Sequence, residues 1–320
     1  MRVVVLGGGP SSEHEVSVRS AAAVAEGLRT AGHDVVEVRV ERDGSWAAAG
    51  GEVVLRPGGG LLGADAAFPV MHGPYGEDGI VQGVLDALDI PYVGSGVLAS
   101  AVAIDKLTLK RLLSHHGIPQ VDFVAAGARG WRERAEGFGL PLWVKPSRLG
   151  SSVGIARVDE IEALDAALAE AARHDPRVIV EAHADGDEVE CGVIGNAEPE
   201  VSLPGQVVAR GEWYDYESKY SEGGMDLIVP APLDEPLATR ARELAAEAYR
   251  ATGCAGMARC DLFLCGGELL VNELNTIPGF TDASVFPKLW EASGVPYPAL
   301  LDRLVTLAVE RFEAERGYEY

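Results

Sequence analysis

At 320 residues and 33.7 kDa the chain exceeds one typical core, and with 47% hydrophobic and 24% charged residues it reads as a globular protein of two or three domains. A net charge of −22 argues against nucleic acid or anionic membrane as partners, although local basic residues can still build a phosphate site. No apolar stretch approaches the roughly 20 residues of a membrane span, and Met1-Arg2 runs into "VVVLGGG" without the core of a signal peptide, so the expected compartment is the cytoplasm.

"MRVVVLGGG" predicts a strand ending in glycines, "PSSEHEVSVRSAAAVAEGLRTAG" a helix stopped by Gly32, and "HDVVEVRV" a second strand. This βαβ opening predicts a parallel sheet with its ligand site at the carboxyl ends of the strands. "AAFPVMHGPYGEDGIVQGVLDALDIPYVGS" repeats the scheme: strand, glycine-rich loop, helix, short strand. "SGVLASAVAIDKLTLKRLLSHHG" predicts a small-residue loop and one helix, with a second unit beginning near Val97. "LPLWVKPSRLGSSVGIARV" predicts a hairpin around a Gly/Ser loop. "EIEALDAALAEAARHD" predicts an amphipathic helix, and "RVIVEAHADGDEVECGVIG" two strands joined by a turn. "GQVVARGEWYDYESKYSEGGMDLIVPAPL" lacks helical period, and a loop of that length is expected to be functional. "DEPLATRARELAAEAYRATG" is a helix with Asp234 as N-cap and Gly253 as terminator. Paired strands in "GMARCDLFLCGGELLVNELNT" follow, and the last helix covers about 298–316. Cys191, Cys254, Cys260 and Cys265 show no C-x-x-C spacing and read as reduced core thiols. The expected units are 1–96, 97–185 and 186–320.

Three groups of letters point to chemistry. Glu273 and Asn275 end an apolar strand on one face, just ahead of Pro278-Gly279. Two hard oxygen donors there suit Mg²⁺ with phosphates; a polar strand end leading into a turn suits the same letters. Arg259 and Asp261 share a face of the preceding strand. If the two strands pair, three oxygen-bearing side chains and one guanidinium converge, which favours the metal and phosphate reading. Lysine occurs only five times, and Lys106, Lys145 and Lys219 sit in or beside motif-like loops, where an ammonium is a good point charge for phosphate. The loop Gly150-Ser151-Ser152-Val153-Gly154 can lay backbone N–H groups over a phosphate. No G-x-x-x-x-G-K-[ST] pattern is present, and "GGGPSSEHE" fails G-x-G-x-x-G because position 12 is serine.

Taken together, "GGGPSSEHEVS", "HGPYGEDG", Asp105-Lys106, "VKPSRLGSSVG", "YDYESKY", "ARCD" and "NELNTIPGFT" occur in one order from residue 5 to residue 290, and the chain resembles the D-alanine–D-alanine ligases of the ATP-grasp superfamily. The resemblance implies an α/β ATP-grasp fold with an N-terminal parallel-sheet, Rossmann-like domain. It implies ATP-dependent joining of two D-alanines through an acyl phosphate, for peptidoglycan synthesis, by a cytoplasmic homodimer. The runner-up changes the second substrate to D-lactate or D-serine.

On matching positions, the resemblance implies that Lys106, Lys145 and Ser152 bind ATP phosphates. Glu181, Ala182 and Ala184 line the adenine pocket, Glu188 holds the ribose, and Asn272 belongs to the ATP site. Asp261, Glu273 and Asn275 hold two Mg²⁺ ions, with Mn²⁺ as a substitute. Glu15 takes the ammonium of the first D-alanine in a network with Ser151 and Tyr220, and His72 sits near its carboxylate or serves as a turn residue. Arg259 and the N–H of Gly279 stabilise the oxyanion, and Ser284 with Lys219 receives the second carboxylate. The base is Tyr220 or the phosphate itself, and the 210–224 region is a lid, packed by Trp213. Two departures stand out. The adenine segment is "EAHA", less bulky than an apolar hinge, and Asp282 adds a negative charge two residues before Ser284. His115 and His116 read as structural. A non-catalytic nucleotide-binding protein would need a broken site, and a nicotinamide dehydrogenase has only the βαβ opening behind it.

Overall fold

A computed structural model of the chain describes residues 1–150, 153–209, 225–281 and 284–317, arranged around three sheets. The first is built as the βαβ opening predicts. β1 (Arg2–Gly8) pairs in parallel with β2 (Asp34–Val40) across α1 (His14–Thr30). β5 (Ala66–Pro69) pairs in parallel with the other edge of β1, while β3 (Trp46–Ala48) and β4 (Gly51–Glu52) extend the sheet beyond β2. The Val3–Leu6 run is buried on both faces, as parallel strands between helices require. Val3 and Val5 pack with α1, and Val4 and Leu6 pack with α2 (Ile80–Leu88). After α2 the expected short strand shrinks to one bridge, Ala67 to Tyr92.

The predicted single helix after residue 96 is two: α3 (Val97–Ile104) and α4 (Lys106–His115). Asp105 divides them. Its backbone is extended (φ −86°, ψ 95°) and its carboxylate accepts from the Thr108 N–H at 3.1 Å, an N-cap that starts α4 afresh. The cap points Lys106 and, one turn later, Lys110 along one helix face.

The second sheet runs β6 (Phe123–Ala125), β9 (Val178–Ala182), β7 (Leu142–Pro146), β8 (Ala156–Val158), antiparallel throughout, with the predicted hairpin formed by β7 and β8. α5 (Trp131–Glu136) and α6 (Leu164–His174) contribute Ala135, Leu164, Ala167 and Ala171 to its core. The third sheet runs β13 (Met225–Ile228), β12 (Gly205–Ala209), β10 (Asp187–Gly195), β14 (Gly256–Cys265), β15 (Glu268–Asn275), with β11 (Glu200–Val201) also on β10. The two strands expected as neighbours around "HADG", β9 and β10, therefore lie in different sheets, and residues 183–186 carry the chain between them.

α7 (Glu235–Thr252) covers the third sheet, with Asp234 accepting from Leu237 N–H at 3.0 Å and Gly253 at φ +71° ending it, as expected. α8 (Val285–Ala292), which the sequence did not announce, packs Phe286 and Trp290 into the core shared with the first sheet. α9 (Tyr297–Arg316) lies against α1 through Leu300, Leu301 and Leu304. Gly27 makes room for this contact: a Cβ there would stand 2.5 Å from Leu301 Cδ1. No helix among the described residues is long and apolar enough to cross a membrane.

Candidate active site

β14 and β15 pair antiparallel with Arg259 opposite Asn275 and Asp261 opposite Glu273, so the convergence that the strand pattern made conditional is present. A bulge makes it so. Beyond Asp261–Glu273 the next paired residues are Leu262 and Val271, which leaves Asn272 as the extra residue. Leu269 and Val271 are core residues at a spacing of two, and so is Leu274, out of phase with them. Asn272 resets the alternation, keeping Leu274 inside while Glu273 and Asn275 turn to the cleft.

Around these residues lies an acidic bank. Arg259 donates to both oxygens of Asp261 at 2.7 Å and lies 3.0 Å from Glu190 Oε2 on β10; Asn275 Nδ2 donates to Asp261 at 2.9 Å. Glu190 sits opposite Asp261 in the β10–β14 register, and oxygens of Glu188, Glu190 and Asp261 lie within 4.8 Å of one another. Hard carboxylate oxygens at this density fit a Mg²⁺-class ion.

Facing it is a basic bank. Lys106 Nζ donates to the Leu149 carbonyl at 2.8 Å, at the mouth of the Gly/Ser loop, and lies 3.5 Å from Glu273 Oε2. Lys145 Nζ lies 2.6 Å from Glu181 Oε2, and Lys110 Nζ is 3.2 Å from Glu181 Oε1. Burial alone would raise the Glu181 carboxyl, but the two ammoniums override it and hold it near about 2. Burial works against Lys145 too, yet Glu181 keeps its ammonium above the ordinary range; for Lys110 burial prevails and lowers it. Ala182 at the end of β9 and Ala184 just beyond it are half-buried, and His183 between them stacks on Trp143 with ring centroids 6.2 Å apart. The slender "EAHA" segment thus gains an aromatic pair.

Two of the expected site residues, Glu15 and His72, have partners in the protein itself. Glu15 is on the outward face of α1, exposed, 3.4 Å from Arg42. Two residues earlier Glu13 is the buried one: it is 5% exposed, and its Oε2 would meet a Cβ on Gly73 at 2.4 Å and one on Gly150 at 3.9 Å. The period of α1 carries the signal: Glu15, Arg19, Ala22 and Glu26 are all exposed, one face of one helix. His72 has protein partners on both ring nitrogens. Its Nδ1–H donates to the Ile277 carbonyl at 3.0 Å, which leaves Nε2 to accept from Ser20 Oγ at 3.1 Å, and burial lowers its pKa. Beside it Glu77 accepts from the N–H groups of Gly73 and Ile277, and burial, reinforced by Glu13, pushes its carboxyl up to about 8. Ser284 Oγ accepts from Thr281 N–H at 3.0 Å and borders Gly279, where a Cβ would meet it at 2.9 Å. Ser151, Ser152, Lys219, Tyr220, Trp213 and Asp282 lie outside the described residues.

Glu13, Lys110, Glu190 and Glu77 were not singled out by the sequence. Three sheets with opposed acidic and basic banks define an ATP-grasp protein. Family models described as the D-ala D-ala ligase N-terminus and C-terminus match residues 2–56 with 53–95, and 112–306. The chain is 45% identical over 334 residues to a D-alanine–D-alanine ligase of Deinococcus radiodurans, covering 97% of this chain and 98% of that one. It is 43% identical over 315 residues to one of Solibacter usitatus, covering 97% and 96%. Among solved structures it superposes on the D-alanine–D-alanine ligase of Coxiella burnetii with a TM-score of 0.90 at 34% identity, covering 99% of this chain and 96% of that one. It also superposes on the VanG D-Ala:D-Ser ligase of Enterococcus faecalis with a TM-score of 0.86 at 34% identity, covering 96% and 99%. The chain belongs to the D-alanine–D-alanine ligase family.

Proposed function

We propose that the chain joins two D-alanines in an ATP-dependent reaction through an acyl phosphate, supplying the dipeptide for peptidoglycan from the cytoplasm. The observation that carries this is Lys106, whose one ammonium reaches both Leu149, the residue before the Gly/Ser loop, and Glu273, so that the proposed phosphate-binding and metal-binding groups share one cleft. Mg²⁺, two ions in this reading with Mn²⁺ as a substitute, supplies charge neutralisation on the phosphates when bound to Asp261, Glu273 and Asn275.

The chain's own groups do the rest. Lys106 and Lys145 attract the triphosphate, with Ser152, Glu181, Ala182, Ala184, Glu188 and Asn272 completing the nucleotide site. Glu13, buried beside the Gly/Ser loop, takes the first D-alanine's ammonium and orients its carboxylate for phosphorylation. Ser151 and Tyr220 complete that network. Ser284 and Lys219 receive the second carboxylate, and Tyr220 or the phosphate takes the proton of the attacking amine. Arg259 and the Gly279 N–H stabilise the oxyanion, and the 210–224 region excludes water from the acyl phosphate. His72 and Glu77 hold the 276–281 turn that bears Gly279. The proposed units are 1–96, 97–185 and 186–320, a reading supported by the strands of one sheet falling within each, and a homodimer accords with Ile80, Val97 and Leu98, exposed apolar residues at the adjoining starts of α2 and α3.

Phosphate release from ATP and Mg²⁺ with D-alanine alone, with products identified by mass, tests the reading. Dipeptide is the expected product. The VanG relative motivates a parallel reaction with D-serine, and one with D-lactate; release only with a mixed pair would overturn the choice of second substrate.

A further inference from the structure

Lys110 has no role in the reaction as proposed, yet it is the deepest of the three lysines of the basic bank. Its side chain is 1% exposed, against 11% for Lys106 and 13% for Lys145. It stands one turn after Lys106 on α4, so the same face presents one ammonium to the cleft and one to its floor. There Lys110 Nζ lies 3.2 Å from Glu181 Oε1 and 5.8 Å from the centre of the Phe123 ring, on the strand that pairs with β9.

A buried ammonium is expensive, and an aliphatic side chain would fill the same space more cheaply. Neutralising Glu181 does not require it, because Lys145 already does so at 2.6 Å. Two ammoniums on one carboxylate, one to each oxygen, are redundant unless one of them departs. Only Lys145 has an open side, and it also feels the acidic bank through Glu273 and Glu188.

We propose that Lys110 is a positioning residue for nucleotide binding: it compensates Glu181 from below, so that Lys145 can turn its ammonium to an incoming triphosphate without stranding a buried carboxylate. This rests on the reading of Lys145 as a phosphate ligand. Without Lys110, Glu181 has one partner and holds it in a medium where the attraction is strong. The consequence is specific to phosphate: affinity for the triphosphate falls, while affinity for the nucleoside does not.

The test is calorimetric binding of a non-hydrolysable ATP analogue with Mg²⁺, and separately of adenosine, to the full chain. Lys110→Met and Lys110→Gln are expected to weaken the analogue about tenfold or more while leaving adenosine unchanged, as expected when a buried pair loses one partner. Lys110→Arg keeps the charge and is expected to bind within about threefold of wild type. In a Glu181→Gln background, where no carboxylate holds Lys145, adding Lys110→Met should cost less than about twofold. No loss in Lys110→Met and Lys110→Gln, an equal loss for adenosine, or a loss that persists beside Glu181→Gln overturns the proposal. Lys145→Met separates it from its premise: unchanged analogue binding there removes Lys145 as a phosphate ligand and the proposal with it. Thermal unfolding midpoints identify any variant that has not folded, and Lys110→Gln then stands in for Lys110→Met.

Discussion

The two banks of the cleft solve opposite problems. On the basic side two lysines share one buried carboxylate, every charge has a partner, and the surplus is positive. On the acidic side Glu188, Glu190, Asp261 and Glu273 crowd around one guanidinium and one ammonium, and the surplus is negative. The first is arranged for an anion and the second for a cation, and a metal-bound triphosphate offers both. Family membership and the fold rest on the whole chain; this division of charge rests on about ten side chains, and can be broken one at a time.

The sharpest break is at Arg259, the guanidinium within the acidic bank. Arg259→Met should lower kcat about 10²–10³-fold, the usual loss for an oxyanion donor, while analogue binding persists. Parallel loss of binding would make Arg259 part of the nucleotide site instead. Next is Glu13. Glu13→Gln should raise the D-alanine KM about 30-fold or more, as for a buried charge partner, whereas Glu15→Gln on the outer face should stay within about twofold. Equal effects in steady-state kinetics would erase the distinction between them.

Glu190→Gln should cost about tenfold in kcat, the scale of a group that orients another, and salt should not restore it. A wild-type kcat would show Asp261 holding Arg259 alone. The smallest effect is at Glu77, whose carboxyl moves from an ordinary 4.5 to about 8 on folding. The folded state therefore keeps a proton that the unfolded chain has released. That contribution is complete below pH 4.5 and is lost as pH rises through about 8. Relative to wild type, Glu77→Gln should gain in unfolding midpoint from pH 6 to pH 9. A gap independent of pH would mean that Glu77 ionises normally.

Much of this was legible in the letters. Alternation along "ARCDLFL" and "NELN" brought Arg259, Asp261, Glu273 and Asn275 to one place, because side chains in paired strands share faces. The bulge at Asn272 was not legible, since one extra residue changes phase without changing composition. Glu13 could have been found by counting α1 backward from Glu26 in helical steps, which places Glu15 outside. Lys110 could not: an i+4 lysine on a helix reads as solvated, and only the tertiary fold brings it beside Glu181 and the Phe123 ring. The separation of β9 from β10 was hidden for the same reason, because a short link between strands looks alike whether it turns back or crosses to another sheet.

Ile277 carries a consequence for how the molecule can be watched. Its carbonyl accepts from His72, its N–H donates to Glu77, and it is 2% exposed, although it belongs to no strand. Phe280, three residues on, has its ring edge-to-face on Phe68 of the first sheet, with centroids 5.6 Å apart. The turn is thus a splice between sheets, and its amide hydrogen should exchange with solvent as slowly as those of the strands it joins. Separating the first sheet from the third would free that hydrogen while leaving both ladders intact. One loop amide, followed by hydrogen exchange, would therefore report on docking alone.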